Sequence, residues 1–131
     1  MIIVDTNIIL RYLLNDDEKL SSEAINILEN NEIFIPTEII VEVCYVLKKV
    51  YNIEKEKIFE VIKSLISMEN INFENEKTIE LAFKTYSENN LDIVDCLIYA
   101  YCKNENYDVK TFDKKLNSLL KNYKNLRYFN S

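Results

Sequence analysis

The sequence lacks glycine, histidine and tryptophan altogether and contains a single proline, Pro36. Without glycine, long flexible linkers and collagen-like or low-complexity segments are excluded. Turns that need a left-handed residue must then use asparagine or aspartate, which tolerate that conformation better than other side chains. We therefore expect such turns at the asparagines of the predicted loops, which are Asn15, Asn30, Asn31, Asn70 and Asn90.

Histidine chemistry, cysteine pairs and long apolar runs are all missing. Without histidine, neither a Ser-His or Cys-His nucleophile nor a histidine-ligated zinc site can form. The three cysteines, Cys44, Cys96 and Cys102, form no CxxC pair, and their odd number is typical of reduced cytosolic thiols. No stretch approaches the roughly 20 apolar residues of a membrane span, and the start carries no basic leader. We expect a cytoplasmic protein without membrane association whose acid–base chemistry uses Asp, Glu, Lys or a metal-bound water.

Negative charge dominates, with 22 acidic and 16 basic residues and a formal net charge of −6. Taken alone, this balance argues against nucleic acid, because phosphate binding favours Lys and Arg. The segment 110–127 departs from the average, since Asp113 is its one acid among several basic residues. It is either a solvated helix face or a surface that steers phosphate. The basic residues are Lys110, Lys114, Lys115, Lys121, Lys124 and Arg127.

The chain is long enough for one domain, 1–131, and its 48% hydrophobic content supplies a sizeable core. The β-branched run Met1–Val4, which has no polar alternation, predicts a strand buried in a parallel sheet. Four further short segments predict the other strands, and apolar residues at helical spacing predict helices between them. This alternation implies an α/β three-layer sandwich, in which a parallel sheet of about five strands is flanked by helices. The predicted strands are Met1–Val4, Ile33–Ile35, Ile71–Phe73, Asp108–Phe112 and Leu126–Phe129, and helices are expected near 6–14, 20–28, 37–50, 58–66, 79–86, 92–101 and 114–121.

Two aspartates, Asp5 and Asp113, directly follow predicted strands. The carboxyl ends of parallel strands meet at one edge of a sheet, where such folds place their active sites. Each aspartate could equally be the N-cap of the following helix. Their positions therefore make both of them candidates for one site without deciding their role.

Glu42 and Asp95 lie inside apolar helical stretches. Glu42 comes three residues after Ile39 and four before Val46, so we expect it to face the core or its margin. An unpaired buried carboxylate costs several kcal/mol, which calls for a basic partner or a metal ion. Asp92 and Asp95 share a helix face, and only one of them can be the cap. We interpret Asp92 as the cap or a supporting residue and Asp95 as the working acid.

Clustered carboxylates repel and raise one another's pKa unless a cation intervenes. Sites built from oxygen ligands with open water positions suit Mg²⁺ or Mn²⁺. With no histidine to share the work, we predict that one or two such ions are held by the catalytic carboxylates. These are Asp5, Glu42, Asp95 and Asp113.

Four segments in this order resemble the PIN-domain family, and in particular the VapC toxins of bacterial and archaeal toxin–antitoxin pairs. The match runs the whole length of the chain. Cys96 is a departure, because a small residue such as alanine is usual there. The segments are Ile3-Val4-Asp5-Thr6-Asn7, Ile35-Pro36 followed by Glu42-Val43 and Val46-Leu47, Asp92 to Ile98, and Thr111 to Lys115.

The resemblance implies a metal-dependent endoribonuclease with a five-stranded parallel sheet, whose acidic quartet maps onto the four carboxylates above. One metal ion would activate a water and a second would stabilise the leaving oxygen. Thr6, Asn7 and Thr111 match positions that support the site. The resemblance also implies an RNA substrate, a homodimer and a VapB-like antitoxin as partner. Lysines of the basic segment, namely Lys110, Lys114 and Lys115, would contact phosphate.

Two other classes of function remain open: a different enzyme on a similar sheet, either a phosphatase or a phosphoacceptor domain, and a non-enzymatic module. A Mg²⁺-dependent phosphatase of the haloacid dehalogenase type needs Asp-x-Asp after the first strand, whereas this chain has Asp5-Thr6-Asn7. A receiver-like phosphoacceptor domain needs adjacent early acids and a late lysine, but Asp16-Asp17 lies well past the first strand. The remaining class is a non-catalytic PIN-fold binding module, which would show no response to divalent metal.

Overall fold

The computed structural model describes the backbone of residues 1–130 and the side chains of residues 1–124. The chain forms two compact units, Met1–Glu76 and Lys77–Ser131. Its elements in chain order are β1 (Ile2–Ile3), α1 (Thr6–Leu14), α2 (Glu18–Glu29), β2 (Ile33–Ile35), α3 (Thr37–Lys49), α4 (Lys55–Ile66), β3 (Ile71–Phe73), α5 (Glu76–Glu88), α6 (Ile93–Glu105) and α7 (Lys114–Asn130).

The first unit is built on a parallel sheet with the strand order β1-β2-β3. Ile2 pairs with Ile33, and Ile33 pairs in turn with Ile71. Parallel neighbours need a crossover connection, and here pairs of helices provide it: α1 and α2 between the first two strands, α3 and α4 between the next two. The predicted α/β class, with a parallel sheet flanked by helices, is confirmed.

The first strand is less buried than the sequence predicted. Val4 is buried, but Ile2 is 42% and Ile3 is 65% exposed. β1 stands at one end of the strand order, so one of its sides has no neighbouring strand among the described residues. The prediction of a strand buried on both faces is wrong for β1, and it holds better for β2, where Ile33 and Ile35 are fully buried.

Asparagine does replace glycine in the turns, although mostly at other positions than expected. Asn15 adopts the predicted positive φ of 49° at the end of α1. Asn52 and Asn106 are the other described residues with a positive φ, at 51° and 65°. Asn30 instead has a φ of −114°, and its side chain donates back to the Asn26 carbonyl. Of the five predicted positions, only Asn15 is confirmed among the described residues.

Asn70 has a structural role that was not predicted. Its Nδ2 donates to the Leu28 carbonyl at 2.6 Å and to the Asn31 carbonyl at 2.8 Å, so it joins the start of β3 to the α2–β2 connection. We expect Asn70→Ala to lower the free energy of unfolding by about 1–3 kcal/mol, because two partly buried carbonyls lose their donor. Chemical denaturation measures this loss. Asn90→Ala is the control, since the Asn90 side chain is exposed, and an equal loss in both variants would contradict the role of Asn70.

The second unit consists of α5, α6 and α7. α6 packs against α7, with the rings of Tyr99 and Tyr123 edge to face at 6.2 Å. The Thr78 hydroxyl on α5 lies 3.3 Å from the Glu105 carboxylate on α6. The largest fully buried side chain is Phe83. This unit is therefore helical in its regular structure, and aromatic side chains form part of its core.

Two predicted strands do not appear in this unit. Residues 106–113 have no regular secondary structure, and Leu126–Phe129 lies inside α7. The Leu126–Phe129 prediction is wrong because nothing between Lys114 and Asn130 interrupts a helix, in a chain whose one proline is far away. The described residues contain three strands instead of about five. None of the described helices has the length and apolar character needed to cross a membrane.

Candidate active site

Asp5 stands at the junction of β1 and α1. Its backbone is extended, with φ −91° and ψ 176°, and its Oδ1 accepts a hydrogen bond from the Ile8 N–H at 3.2 Å. The alternative interpretation of Asp5 as an N-cap is therefore confirmed. Capping uses one carboxylate oxygen, so it leaves the other for a further ligand. The cap also fixes the orientation of the carboxylate at the end of the strand.

The carboxylates of Asp5 and Glu42 line one pocket in the first unit. The pocket has a volume of about 360 Å³, and α1 packs against α3 beside it. Its wall contains no lysine or arginine that could neutralise the two acids. The lining residues are Asp5, Thr6, Asn7, Leu10, Ile39, Glu42 and Val46.

Glu42 is exposed, which agrees with the margin of the core, the second of its two expected positions, and its charge therefore needs no compensating partner. α3 has two adjacent apolar faces, which the sequence did not separate. One face is fully buried and includes Ile40, Val43 and Cys44. The other carries Glu42 between Ile39 and Val46 and forms the wall of the pocket. Glu42 therefore lies at the margin of the core, where water or an ion can reach it.

The Thr6 hydroxyl is the clearest sign that this pocket receives a polar ligand. Thr6 is 8% exposed, and its Oγ1 is buried without a hydrogen-bond partner among the described residues. Such an orphaned group costs about 1–3 kcal/mol, and buried hydroxyls normally find a partner. A hydrated cation held by the neighbouring carboxylates would supply one. The donor set of this pocket fits Mg²⁺ or Mn²⁺, which prefer oxygen ligands and retain waters.

The second unit brings Asp92, Asp95 and Asp113 into one electrostatic neighbourhood. Burial raises the pKa of the Asp95 carboxyl, and the negative charges of Asp113 and Asp92 raise it further. Asp92 occupies the N-cap position of α6, but its side chain makes no capping hydrogen bond. Cys96, the departure from the family pattern, is fully buried and fits its place. Asp95 thus carries a charge that its surroundings oppose, as expected for a carboxylate that receives a cation.

Asp113 is held by a small hydrogen-bond network. Its Oδ1 accepts from the Leu116 N–H at 2.8 Å and so caps α7, while its own N–H donates to the Thr111 Oγ1 at 3.1 Å. Asn117 Nδ2 donates to the Thr111 carbonyl at 2.8 Å. Thr111 therefore positions Asp113 by accepting a hydrogen bond from its N–H. The Thr111 hydroxyl still has its own proton to donate to another group. Asn117 was not identified from the sequence, because no local pattern marks it.

Each unit carries two members of the predicted quartet, Asp5 and Glu42 in the first, Asp95 and Asp113 in the second. No lysine or arginine among the described side chains forms an ion pair with any of these four. Within the part of the chain that the structure describes, no three Asp, Glu, Cys or His side chains are grouped closely enough to hold a metal ion.

The lysines predicted to contact phosphate lie in different surroundings. Lys114 is exposed, and Lys115 Nζ lies 3.4 Å from the Asn90 carbonyl. Lys110 instead lines a cleft together with Lys121 and Lys124. The side chain of Arg127 lies outside the described residues. The basic segment therefore divides into two lysines beside Asp113 and three at a cleft.

The raised pKa of Asp95 predicts a pH-dependent gain of stability in Asp95→Asn without metal. The folded state disfavours ionised Asp95, so ionisation of this group lowers the free energy of unfolding. The loss is absent below the ordinary pKa of 3.8, grows as the pH rises, and is complete above the raised pKa of the folded state. Asp95 is partly exposed and lies in the first turn of α6, where the helix dipole favours its charge. We therefore expect a gain in unfolding free energy of at most about 1 kcal/mol at pH 7.

Denaturation in EDTA at several pH values measures this gain, which should shrink toward acid pH. Glu88→Gln, which removes an exposed carboxylate elsewhere in the same unit, is the control. If Asp95→Asn is less stable than the wild type at every pH, the charges of Asp92 and Asp113 do not oppose that of Asp95.

Comparisons with known proteins identify the family of this chain. Residues 2–121 match the family described as PIN domain. The chain is 31% identical over 102 residues to a protein named VapC ribonuclease from Aquifex aeolicus (strain VF5), an alignment that covers 74% of this chain and 75% of the relative. No solved structure shows a significant match to the chain.

Proposed function

We infer that this chain, which belongs to the PIN-domain family and is VapC-like within it, is a metal-dependent endoribonuclease that hydrolyses RNA phosphodiester bonds. The observation that carries this conclusion is the family match over residues 2–121, a range that contains all four predicted carboxylates. The similarity to a VapC ribonuclease over three quarters of both chains supports it.

The proposed site consists of Asp5, Glu42, Asp95 and Asp113, and we propose that residues 1–131 are a single PIN-like domain. Three features support this assignment. The carboxylates have no neutralising partner among the described side chains. The Thr6 hydroxyl is buried without a hydrogen bond, and the charge on Asp95 is opposed by its surroundings.

The chain's own residues have distinct roles in this proposal. Asp5 and Glu42, with Asp95, supply oxygen ligands for Mg²⁺ or Mn²⁺, as one or two ions. When bound, such ions lower the pKa of water and stabilise the charge that develops on phosphate oxygens. Asp113 would orient the attacking water or complete a second metal position, and Thr111 holds its backbone. Thr6 and Asn7 would hydrogen-bond to water at the occupied pocket, and Asp92 would support Asp95.

RNA cleavage by the purified chain tests the proposal. An end-labelled structured RNA should be cut internally with Mg²⁺ or Mn²⁺ and remain intact with EDTA. Phosphorylation of Asp5 by a small phosphodonor, without RNA cleavage, would instead indicate a phosphatase or phosphoacceptor domain.

We also propose that the protein acts in the cytoplasm as the toxin of a pair, with a VapB-like antitoxin as its partner, and that it forms a homodimer. These proposals rest on the resemblance to VapC proteins. Light scattering distinguishes a dimer from a monomer of 15.6 kDa. A short adjacent reading frame for a DNA-binding protein, whose product blocks cleavage, would support the pair.

A further inference from the structure

A cleft in the second unit lies between the loop 109–112 and α7. Its volume is about 430 Å³. Three lysines line it, Lys110 from the loop and Lys121 and Lys124 from the helix. All three side chains are exposed. The chain has a net charge of −6, whereas the side chains that line this cleft carry positive charge.

The positive charge of the cleft is only weakly neutralised. Lys124 Nζ lies 3.6 Å from Asp108 Oδ1, but these side chains are 50% and 82% exposed, so the pair contributes little and can exchange for another anion. Lys110 and Lys121 form no ion pair among the described side chains. The cleft therefore offers two or three cations to an anionic ligand.

An aromatic ring stands beside these lysines. Phe112 lines the same cleft and is fully exposed, at 103%. The loop that carries it is held in place, because Asn117 on α7 donates to the Thr111 carbonyl at 2.8 Å. A single exposed apolar side chain has no special meaning, but an exposed ring on an anchored loop, beside the unpaired Lys110 and Lys121, is the combination that binds single strands. The lysines follow the phosphates, and the ring stacks on a base.

We propose that this cleft, formed by Lys110, Phe112, Lys121 and Lys124, binds an unpaired segment of the RNA substrate. A base in a duplex is already stacked on both faces, so Phe112 selects single-stranded RNA. Phe112 also immediately precedes Asp113 in the chain, so the cleft and a proposed catalytic carboxylate belong to the same short segment. The proposal rests on the nuclease function above and names the form of RNA that this site accepts.

Fluorescence anisotropy with the full chain tests the proposal. The probe is a labelled unstructured 12-nucleotide RNA, compared with a duplex of the same sequence, in EDTA to prevent cleavage. We expect the single strand to bind more tightly than the duplex. Phe112→Ala should weaken single-strand binding about 5- to 150-fold, and Phe112→Trp should preserve it. Lys110→Ala and Lys121→Ala should each lower the slope of log K against log salt by about 0.7.

A second lysine group supplies the matched control. Lys77, Lys84 and Lys103 line another pocket of the same unit, with Glu80 and no exposed aromatic ring. Lys84→Ala should change neither affinity nor salt slope. Equal effects of Lys84→Ala and Lys110→Ala, unchanged binding by Phe112→Ala, or tighter duplex binding would each overturn the proposal. Unchanged melting temperatures exclude misfolding.

Binding and cleavage fail separately in this design. If the chain binds the single strand through Phe112 but cuts no RNA with Mg²⁺ or Mn²⁺, the nuclease function is wrong and the cleft stands. If the chain cuts RNA while Phe112→Ala leaves binding and cleavage unchanged, the nuclease function stands and the cleft is wrong.

Discussion

RNA cleavage should fall by about a thousandfold when Asp5 or Asp95 is replaced by asparagine. The substitution keeps the size of the side chain but removes the negative charge that binds the ion, and about 4 kcal/mol of transition-state stabilisation corresponds to this factor. Single-turnover cleavage of an end-labelled RNA with saturating Mn²⁺ measures the chemical step without product release. Full activity in either variant would show that its carboxylate is not part of the catalytic site.

Asp17 provides a control that separates catalysis from helix capping. Like Asp5, it is the N-cap of a helix, and its Oδ1 accepts from the Leu20 N–H at 2.9 Å. Asparagine is itself a good N-cap, so Asp5→Asn and Asp17→Asn should both fold normally. Only Asp5→Asn should lose cleavage. An equal loss in Asp17→Asn would attribute the effect to the caps.

Mg²⁺ or Mn²⁺ should raise the melting temperature of the wild-type protein by about 10 °C at 100 times the dissociation constant. An ion that binds only the folded state stabilises it by about 2.7 kcal/mol at that concentration. It also removes the repulsion among Asp92, Asp95 and Asp113. Thermal unfolding followed by circular dichroism, with EDTA or with either ion, measures the shift.

The Asp95→Asn variant separates the effect of metal binding from the effect of stability. Asp95→Asn should melt slightly higher than the wild type in EDTA but gain little from metal, because the same charge destabilises the empty site and binds the ion. Such opposite effects on stability and function are expected where a fold keeps a strained site. If neither ion changes the melting temperature of the wild-type protein, the result would instead indicate a non-catalytic binding module.

The secondary structure of the first unit followed from local patterns. Ile33–Ile35 and Ile71–Phe73 were predicted with the bounds that the structure shows, since short apolar runs bounded by polar residues have few alternatives to a buried strand. The last predicted strand failed because Leu126–Phe129 has a similar composition but continues an uninterrupted helix. Composition alone cannot separate these outcomes where no proline or glycine marks an end.

The candidate site was predictable to a different degree at each residue. Asp5 and Asp113 were identified by their position after predicted strands, and both prove to be helix caps as well. The strand predicted before Asp113 does not appear among the described residues. The choice between core and margin for Glu42 was left open, because helical spacing does not show which of two adjacent apolar faces enters the core. The effect of Asp113 on Asp95 depends on packing between different segments, which no local pattern encodes. The basic residues of the cleft were visible in the sequence, but the position of Phe112 beside them depends on how the loop 109–112 packs on α7.

The affinity for Mn²⁺, measured by isothermal titration calorimetry, tests most directly whether the proposed carboxylates bind the metal ion. The variants are Glu42→Gln and Asp95→Asn, with Asp17→Asn as the control. The account predicts that Glu42→Gln and Asp95→Asn each weaken binding at least about tenfold, while Asp17→Asn binds like the wild type. Wild-type affinity in either Glu42→Gln or Asp95→Asn would show that its carboxylate is not a metal ligand and would contradict the account.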